Sequence, residues 1–363
     1  MVIKKERIDS LHTIRAMGFM SIFLTHLMAQ FPGDGKLYVL FHEKSPGRMA
    51  ACVFFILSGF VMTYSYWNRP LKLGIKDAVF FTIIKIKRLY PLHLLMLFWG
   101  ALFSFLNHKP VISICKHLAT EVPLLQTWFP VGYYGVNAVA WYLSVSVFLY
   151  FCFPYLLMLI KKRKHDKTIS LLVIACIFLT QLIVGFCAFH FTDVDIKWVT
   201  YCHPVFRLGD FVIGMSLASL YMNRRVQKGS VKLSKVFYSV LEIAAAAVCI
   251  AVSILYLKLS ENTEWFYYTS LYILPSTLLV YVFALNKGIV SELLKNKFVL
   301  WLADISPYAY LIHLLVIKYL YVFTKSVLHY SNFNILLAII ISFGLTVLAV
   351  YIYLFLEKIL TAY

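Results

Sequence analysis

Charge is scarce in this chain, and acidic charge is the scarcest. Asp, Glu, Lys and Arg make up 14% of its 363 residues, with 16 acidic against 34 basic side chains. A soluble domain carries about 25% charged residues, so no stretch between the apolar runs is polar enough to form a large soluble domain. The seven cysteines include no C-x-x-C pair and no zinc-type spacing, which argues against a metal site. Most lie inside apolar runs, where Cys acts as a small hydrophobe; Cys115 and Cys202, near expected outer loops, are the two that a disulfide would suit. Internal repeats, low-complexity tracts and long linkers are missing. So is a cleavable leader: the first apolar run carries Arg15 and His26 and lacks a small-residue cleavage site, so it reads as a retained span.

What is abundant is hydrocarbon. Hydrophobic residues make up 61% of the chain and the mean hydropathy is +0.80. Apolar runs of about 20 residues, enough to cross a bilayer as a helix, recur along its whole length. They predict an all-α membrane bundle of about ten spans, one domain over 1–363, at 11–30, 50–67, 89–107, 138–160, 169–190, 203–222, 237–257, 267–285, 306–326 and 334–356. The third run can begin before Arg88. The net charge of +18 is spread in short clusters between the runs, a pattern of cytoplasmic membrane loops rather than of a nucleic-acid surface. With the N-terminus inside, about 23 of the 34 basic residues fall on the cytoplasmic side and about seven outside, so both termini are expected in the cytoplasm. The connections 31–49 and 108–137 are rich in aromatic, Gly and Pro residues. They are candidates for a substrate mouth or for interfacial packing.

Ionisable groups inside spans are costly and mark either function or pairing. Arg15 and His26 stand eleven positions apart on the first span, about 16 Å and three turns, hence on nearly one face. An imidazole there can exchange a proton with an alcohol, or it can hold two helices together. Ser58-Gly59 in the second span permits close helix approach, and no G-x-S-x-G turn or lysine partner makes Ser58 a nucleophile. Lys85, Lys87 and Arg88 precede Pro91 at a cytoplasmic boundary, where they can anchor the chain or grip phosphate.

Several of these motifs occur together. Arg15 and His26 on the first span, Phe54-Phe55-Ile56-Leu57-Ser58-Gly59-Phe60 on the second, and Lys85-Ile86-Lys87-Arg88 with Pro91 before the third come first. Trp141-Tyr142-Leu143-Ser144-Val145, Arg207-Leu208-Gly209-Asp210-Phe211 with Gly214, and Ser306-Pro307-Tyr308-Ala309-Tyr310-Leu311-Ile312-His313 follow in order. The set resembles the acyltransferase-3 family of membrane O-acyltransferases, from about residue 7 to 357. The resemblance implies transfer of an acyl group, usually acetyl from acetyl-CoA, to a hydroxyl of a cell-envelope or exported glycan at a bacterial cell membrane, without metal.

By the same resemblance His26 matches the essential His and Arg15 the first-span Arg. Lys85 and Arg88 match an Arg-x-x-Arg pair that would hold CoA phosphates together with Lys87, the Lys giving a weaker bidentate grip. Arg207, Asp210, His313, Trp141 and Ser144 become candidates for acceptor binding or oxyanion stabilisation. Many members carry Glu where this chain has Ser146, so another acid, Asp210 or Asp304, is a candidate to compensate. The extracytoplasmic hydrolase-like domain fused to many members is not expected here. A glycan transporter or flippase using the same intramembrane groups is the alternative; the lack of a repeat speaks against it.

Overall fold

The computed structural model describes residues 7–31, 33, 38–43, 46–162, 167–226, 234–256, 259, 263–268, 270–327 and 334–361. Parts of the basic clusters at 163–166 and 227–233, and of the connection 31–49 at 32, 34–37 and 44–45, lie outside the described residues. The described residues hold helices and no β-strand. In chain order the helices are α1 (Asp9–Gln30), α2 (Pro46–Tyr66), α3 (Ile75–Ile86), α4 (Tyr90–Leu106), α5 (Val111–Glu121), α6 (Trp141–Lys162), α7 (Lys167–Phe191), α8 (Pro204–Val226), α9 (Lys235–Tyr256), α10 (Glu264–Tyr267), α11 (Ser270–Ala284), α12 (Ile289–Leu293), α13 (Lys297–Ser326) and α14 (Ile335–Thr361).

Each of the ten apolar runs is helical. Among the described residues seven helices are long and apolar enough to span a bilayer, or eight if α3 and α4 form one bent span. The first run falls outside that set because α1 carries His12, Arg15 and His26 among its apolar residues, and α11 because it has only 15 residues. Two boundaries move. The third run is preceded by α3, and the two meet at a 63° bend; Lys87 and Arg88 occupy the break and Pro91 sits in the first turn of α4, where a missing N–H costs nothing. The ninth run begins nine residues earlier than hydropathy suggests, at Lys297. There the Asn296 carboxamide oxygen accepts the Val299 N–H at 2.9 Å and caps the helix.

The bundle is built on α1, α2, α8 and α13. Helix α1 packs on α13 and on α2, while α2 and α8 make the most extensive helix pair in the molecule. In lipid, helices gain from close contact more than from water release, and α2 and α8 approach closely through glycines. A Cβ on Gly59 would run into the Phe211 carbonyl oxygen, and one on Gly214 into that of Ile56. The packing role read for Ser58-Gly59 is what the structure has at Gly59, whereas Ser58 lines a cavity. Phe19, Phe23, Leu27, Leu311 and Leu315 fill the α1–α13 seam. Helices α7, α9 and α14 are peripheral and expose Ile183, Ile250, Ile340 and Phe355, the membrane face expected of outer helices. All seven cysteines are free.

Candidate active site

The α1–α13 seam brings His26 to His313, 287 positions away. Nδ1 of His26 lies 2.8 Å from Nε2 of His313, with the two rings nearly parallel at 11°. His313 is buried at 0% exposure, walled by Phe19, Phe23 and Tyr310. Its Nδ1 sits 2.8 Å from the Tyr310 carbonyl oxygen and 3.2 Å from that of Ala309. Pro307, inside α13, cannot donate to the turn before it. The tautomers follow from these contacts. A carbonyl only accepts, so Nδ1 of His313 carries the proton and Nε2 presents a lone pair. Nδ1 of His26 must then donate to it. The lone pair left over is on Nε2 of His26, which makes that atom the base of the pair.

Three turns below, Arg15 lines a cavity of about 240 Å³ between α1, α2, α6 and α13, together with Ser58, Leu89, Ser146, Tyr150 and Tyr310. Among the described residues no acidic side chain forms an ion pair with Arg15. Ser146, where many family members carry Glu, faces this cavity and donates its hydroxyl to the Tyr142 carbonyl at 2.8 Å. The rings of Tyr142 and Tyr310, 5.6 Å apart, both line this cavity, and Tyr310 also packs on the His313 ring at 5.8 Å.

The basic stretch lies at the α3–α4 break, next to Leu89 of the cavity wall, and its members diverge. Arg88 donates through Nε to the Tyr308 hydroxyl. Lys85 sits 4.4 Å above the Tyr66 ring and 5.3 Å above Phe81, and Lys87 is exposed. The other candidates are not joined to the imidazole pair by any contact. Arg207 and Asp210 form a fully buried ion pair at 2.6 Å on α8. Asp210 also accepts from the Gln181 amide at 3.1 Å, and Nε of Arg207 donates to the Tyr201 carbonyl at 2.7 Å. This pairing explains how these two charges of α8 stay in the bundle interior. Trp141 stacks among Phe55, Tyr142 and Tyr201. The Ser144 hydroxyl is engaged at 2.7 Å with both Thr127 and the Leu124 carbonyl. Asp304 is exposed and lies 3.6 Å from Arg7, so neither acid considered for the missing Glu faces the imidazoles.

An acid that hydropathy reading passed over does stand close by. Glu121 ends the short amphipathic helix α5, outside the candidate spans, and is fully buried. Its carboxylate accepts the backbone N–H groups of Val136 and Asn137 at 2.8 and 3.3 Å. Gly135 has φ +47° and a Cβ there would strike the same carboxylate, so only glycine lets the strap close on it. The Asn137 amide then donates to the Leu311 carbonyl at 3.2 Å, two residues before His313. The one sequence signal was an acid followed by Val122-Pro123 at the end of an amphipathic turn, which reads equally well as a surface residue.

Burial pushes the Glu121 carboxyl up from 4.5 to about 7. The charge of Lys318 on α13 draws it back a little, and His93 of α4 bonds the Glu121 backbone carbonyl at 2.9 Å. Because the folded value lies above the unfolded one, this group's contribution to stability is full below pH 4.5 and is lost as pH rises to about 7. Melting curves in detergent should therefore show the wild type losing ground to Glu121→Gln over that window and running parallel to it above. A difference between the two that does not change with pH would reject the assignment.

A polytopic helical membrane protein with a paired imidazole base beside an arginine-lined cavity is the class that fold and site define. The family profile for an acyltransferase domain matches residues 8–354, nearly the whole chain, and the chain belongs to this acyltransferase-3 family. It is similar to acyltransferase MdmB of Streptomyces mycarofaciens, with 30% identity over 164 residues, 43% of this chain and 41% of that protein. The match thus spans under half the length of that relative. No solved structure matches the chain.

Proposed function

We propose that this protein is a membrane O-acyltransferase that moves an acetyl group from acetyl-CoA to a hydroxyl of a cell-envelope or exported glycan. The observation that carries the reading is the His26–His313 pair, which leaves Nε2 of His26 as a base. In this reading the chain crosses a bacterial cell membrane ten times with both termini inside. Cytoplasmic CoA is met by Lys85, Lys87 and Arg88 at the α3–α4 break, and its pantetheine arm enters the cavity past Arg15. Lining the cavity and forming no ion pair among the described residues, Arg15 is placed to hold the polar arm or the oxygen of the thioester. Tyr310 must swing aside for the thioester carbonyl to reach His26. Nε2 of His26 takes the proton of the acceptor hydroxyl, the alkoxide attacks the thioester, and the CoA thiolate leaves and is reprotonated. The charge formed on His26 is shared through the Nδ1–H to His313, which is itself anchored on the Tyr310 carbonyl.

Membranes holding the protein are given acetyl-CoA labelled in the acetyl group. Label should pass to a glycan, and the double variant Lys85→Gln/Arg88→Gln should raise the KM for acetyl-CoA about tenfold or more with a smaller change in kcat, because it removes charge-assisted phosphate contacts. Glycan export without label transfer would favour a transporter and defeat the proposal.

A further inference from the structure

The face of α6 that walls the Arg15 cavity through Ser146 and Tyr150 goes on to wall a second one. Met158, Lys161 and Lys162 line a pocket of about 340 Å³, together with Leu71 and Leu73 from the segment after α2. Pro154 and Leu157 of its lining complete the face. At about 3.6 residues per turn, Ser146, Tyr150, Pro154, Leu157 and Lys161 fall within about a quarter turn of one another. From Ser146 to Lys161 this face rises about 22 Å. Apart from its two lysines, the pocket is lined by Leu, Pro and Met. A flat heteroaromatic ring with an anion at its edge suits such walls.

The two lysines close a line of cations that begins at the α3–α4 break. Arg88 stands at the break, next to Leu89 of the Arg15 cavity. Lys85, three residues earlier, sits 4.4 Å from the Tyr66 ring, and Arg69 sits 5.1 Å from the same ring. Phe81 and Phe153 hold that ring edge-on at 5.3 and 5.8 Å, and Phe153 is the neighbour of Pro154 in the pocket wall. The Lys161 ammonium then donates to the Arg69 carbonyl at 3.3 Å. Among the described residues none of Arg69, Lys85, Arg88, Lys161 and Lys162 forms an ion pair with an acid. Cations gathered without acids repel one another and attract an anion. Anchoring to lipid head groups would account for the charges, but it needs no slot behind them.

We infer that the 3′-phosphoadenosine end of the acyl-CoA donor lies in the α6 pocket, with adenine against Leu71, Leu73 and Met158 and the 3′-phosphate on Lys161 and Lys162. This rests on the acyl-transfer reading and names what recognises the far end of its donor. CoA carries phosphate in two places, a diphosphate at the head of the pantetheine arm and a monoester on the ribose. The cations fall into two matching groups: Arg88, Lys85 and Arg69 near the break for the diphosphate, Lys161 and Lys162 in the pocket for the monoester. The two lysines are therefore specificity-determining. They separate CoA from dephospho-CoA, which lacks the ribose phosphate.

Titration calorimetry of the purified protein in detergent tests this, with CoA and dephospho-CoA as probes. The wild type should bind CoA about tenfold or more tighter than dephospho-CoA. Lys161→Gln/Lys162→Gln should lose about tenfold for CoA while dephospho-CoA stays within about twofold, so that the two affinities converge. Lys161→Arg/Lys162→Arg keeps both charges and should keep the preference. Met158→Trp fills the slot and should weaken both compounds. Equal wild-type affinity for the two, or a Gln double variant that weakens both alike, would overturn the proposal. Membranes given labelled acetyl-CoA tell that failure from a failure of acyl transfer itself. Label transfer by a protein with no preference for CoA overturns the pocket and leaves acyl transfer standing; absent transfer together with no binding of either compound overturns both.

Discussion

His26→Ala is expected to lower acyl transfer by about 10²–10⁴-fold, the range for removing a general base, while leaving the protein folded and its affinity for acetyl-CoA within about twofold. His26 stands on the α1–α13 seam but is only part-buried, so its loss opens little space. The sharper test lies at His313, a positioning residue, because its effect must pass through His26. With His313→Leu, Nδ1 of His26 loses its acceptor, the proton is free to move to Nε2, and the base faces the wrong way; a loss of about 10²-fold is expected, in line with tautomer and orientation effects elsewhere. Gln keeps a carboxamide oxygen near the position of Nε2, so His313→Gln should recover much of that loss. The pH–rate profile separates this from plain damage to packing. Its acidic limb, where the base becomes protonated, belongs to the imidazole pair, and that limb should move in His313→Gln while the melting temperature does not. Leu and Gln variants of equal activity, with a profile like wild type, would reduce His313 to a buried space-filler.

The ten apolar runs and the role of glycine in α2 were legible because bilayer thickness and helix pitch impose periods that residue order must obey. His26 was legible because an imidazole in a run of hydrocarbon is expensive. Its partner could be ranked only as one candidate among five. Nothing in the spacing distinguishes His313 from Arg207, since each is a polar residue on an apolar helix; what separates them is that Arg207 finds Asp210 one turn away and His313 finds only carbonyls and His26. Glu121 was hidden for a different reason. Its burial comes from a turn at Gly135 and a strap at 136–137, a tertiary event that hydropathy does not register. Ser144 shows the converse: it lies in a recognisable motif, and the structure adds that its hydroxyl is engaged by a neighbouring turn, which spacing does not register.

Gly214→Val should abolish the folded protein, with an expected cost above about 4 kcal/mol. The argument is geometric. At Gly214 a Cβ would occupy the place of the Ile56 carbonyl oxygen, and at Gly59 that of Phe211, so α2 and α8 meet backbone to backbone over two successive contacts. A flexible side chain could move away from an added methyl group; a carbonyl held in its own helix cannot, and the helices must separate. That separation reaches the site, because α2 supplies Phe54, Leu57 and Ser58 to the Arg15 cavity and α8 carries the buried Arg207–Asp210 pair, which needs exclusion from lipid on every side. Gly344 is the control. It lies on α14 with nothing within 4 Å of a built Cβ, so Gly344→Val should give protein that elutes and melts like wild type. Size-exclusion chromatography in detergent followed by a melting curve reads all three variants. If Gly214→Val or Gly59→Val were recovered as monodisperse protein with the wild-type midpoint, the close contact of α2 and α8 would be wrong, and with it the shape of the cavity that α2 walls.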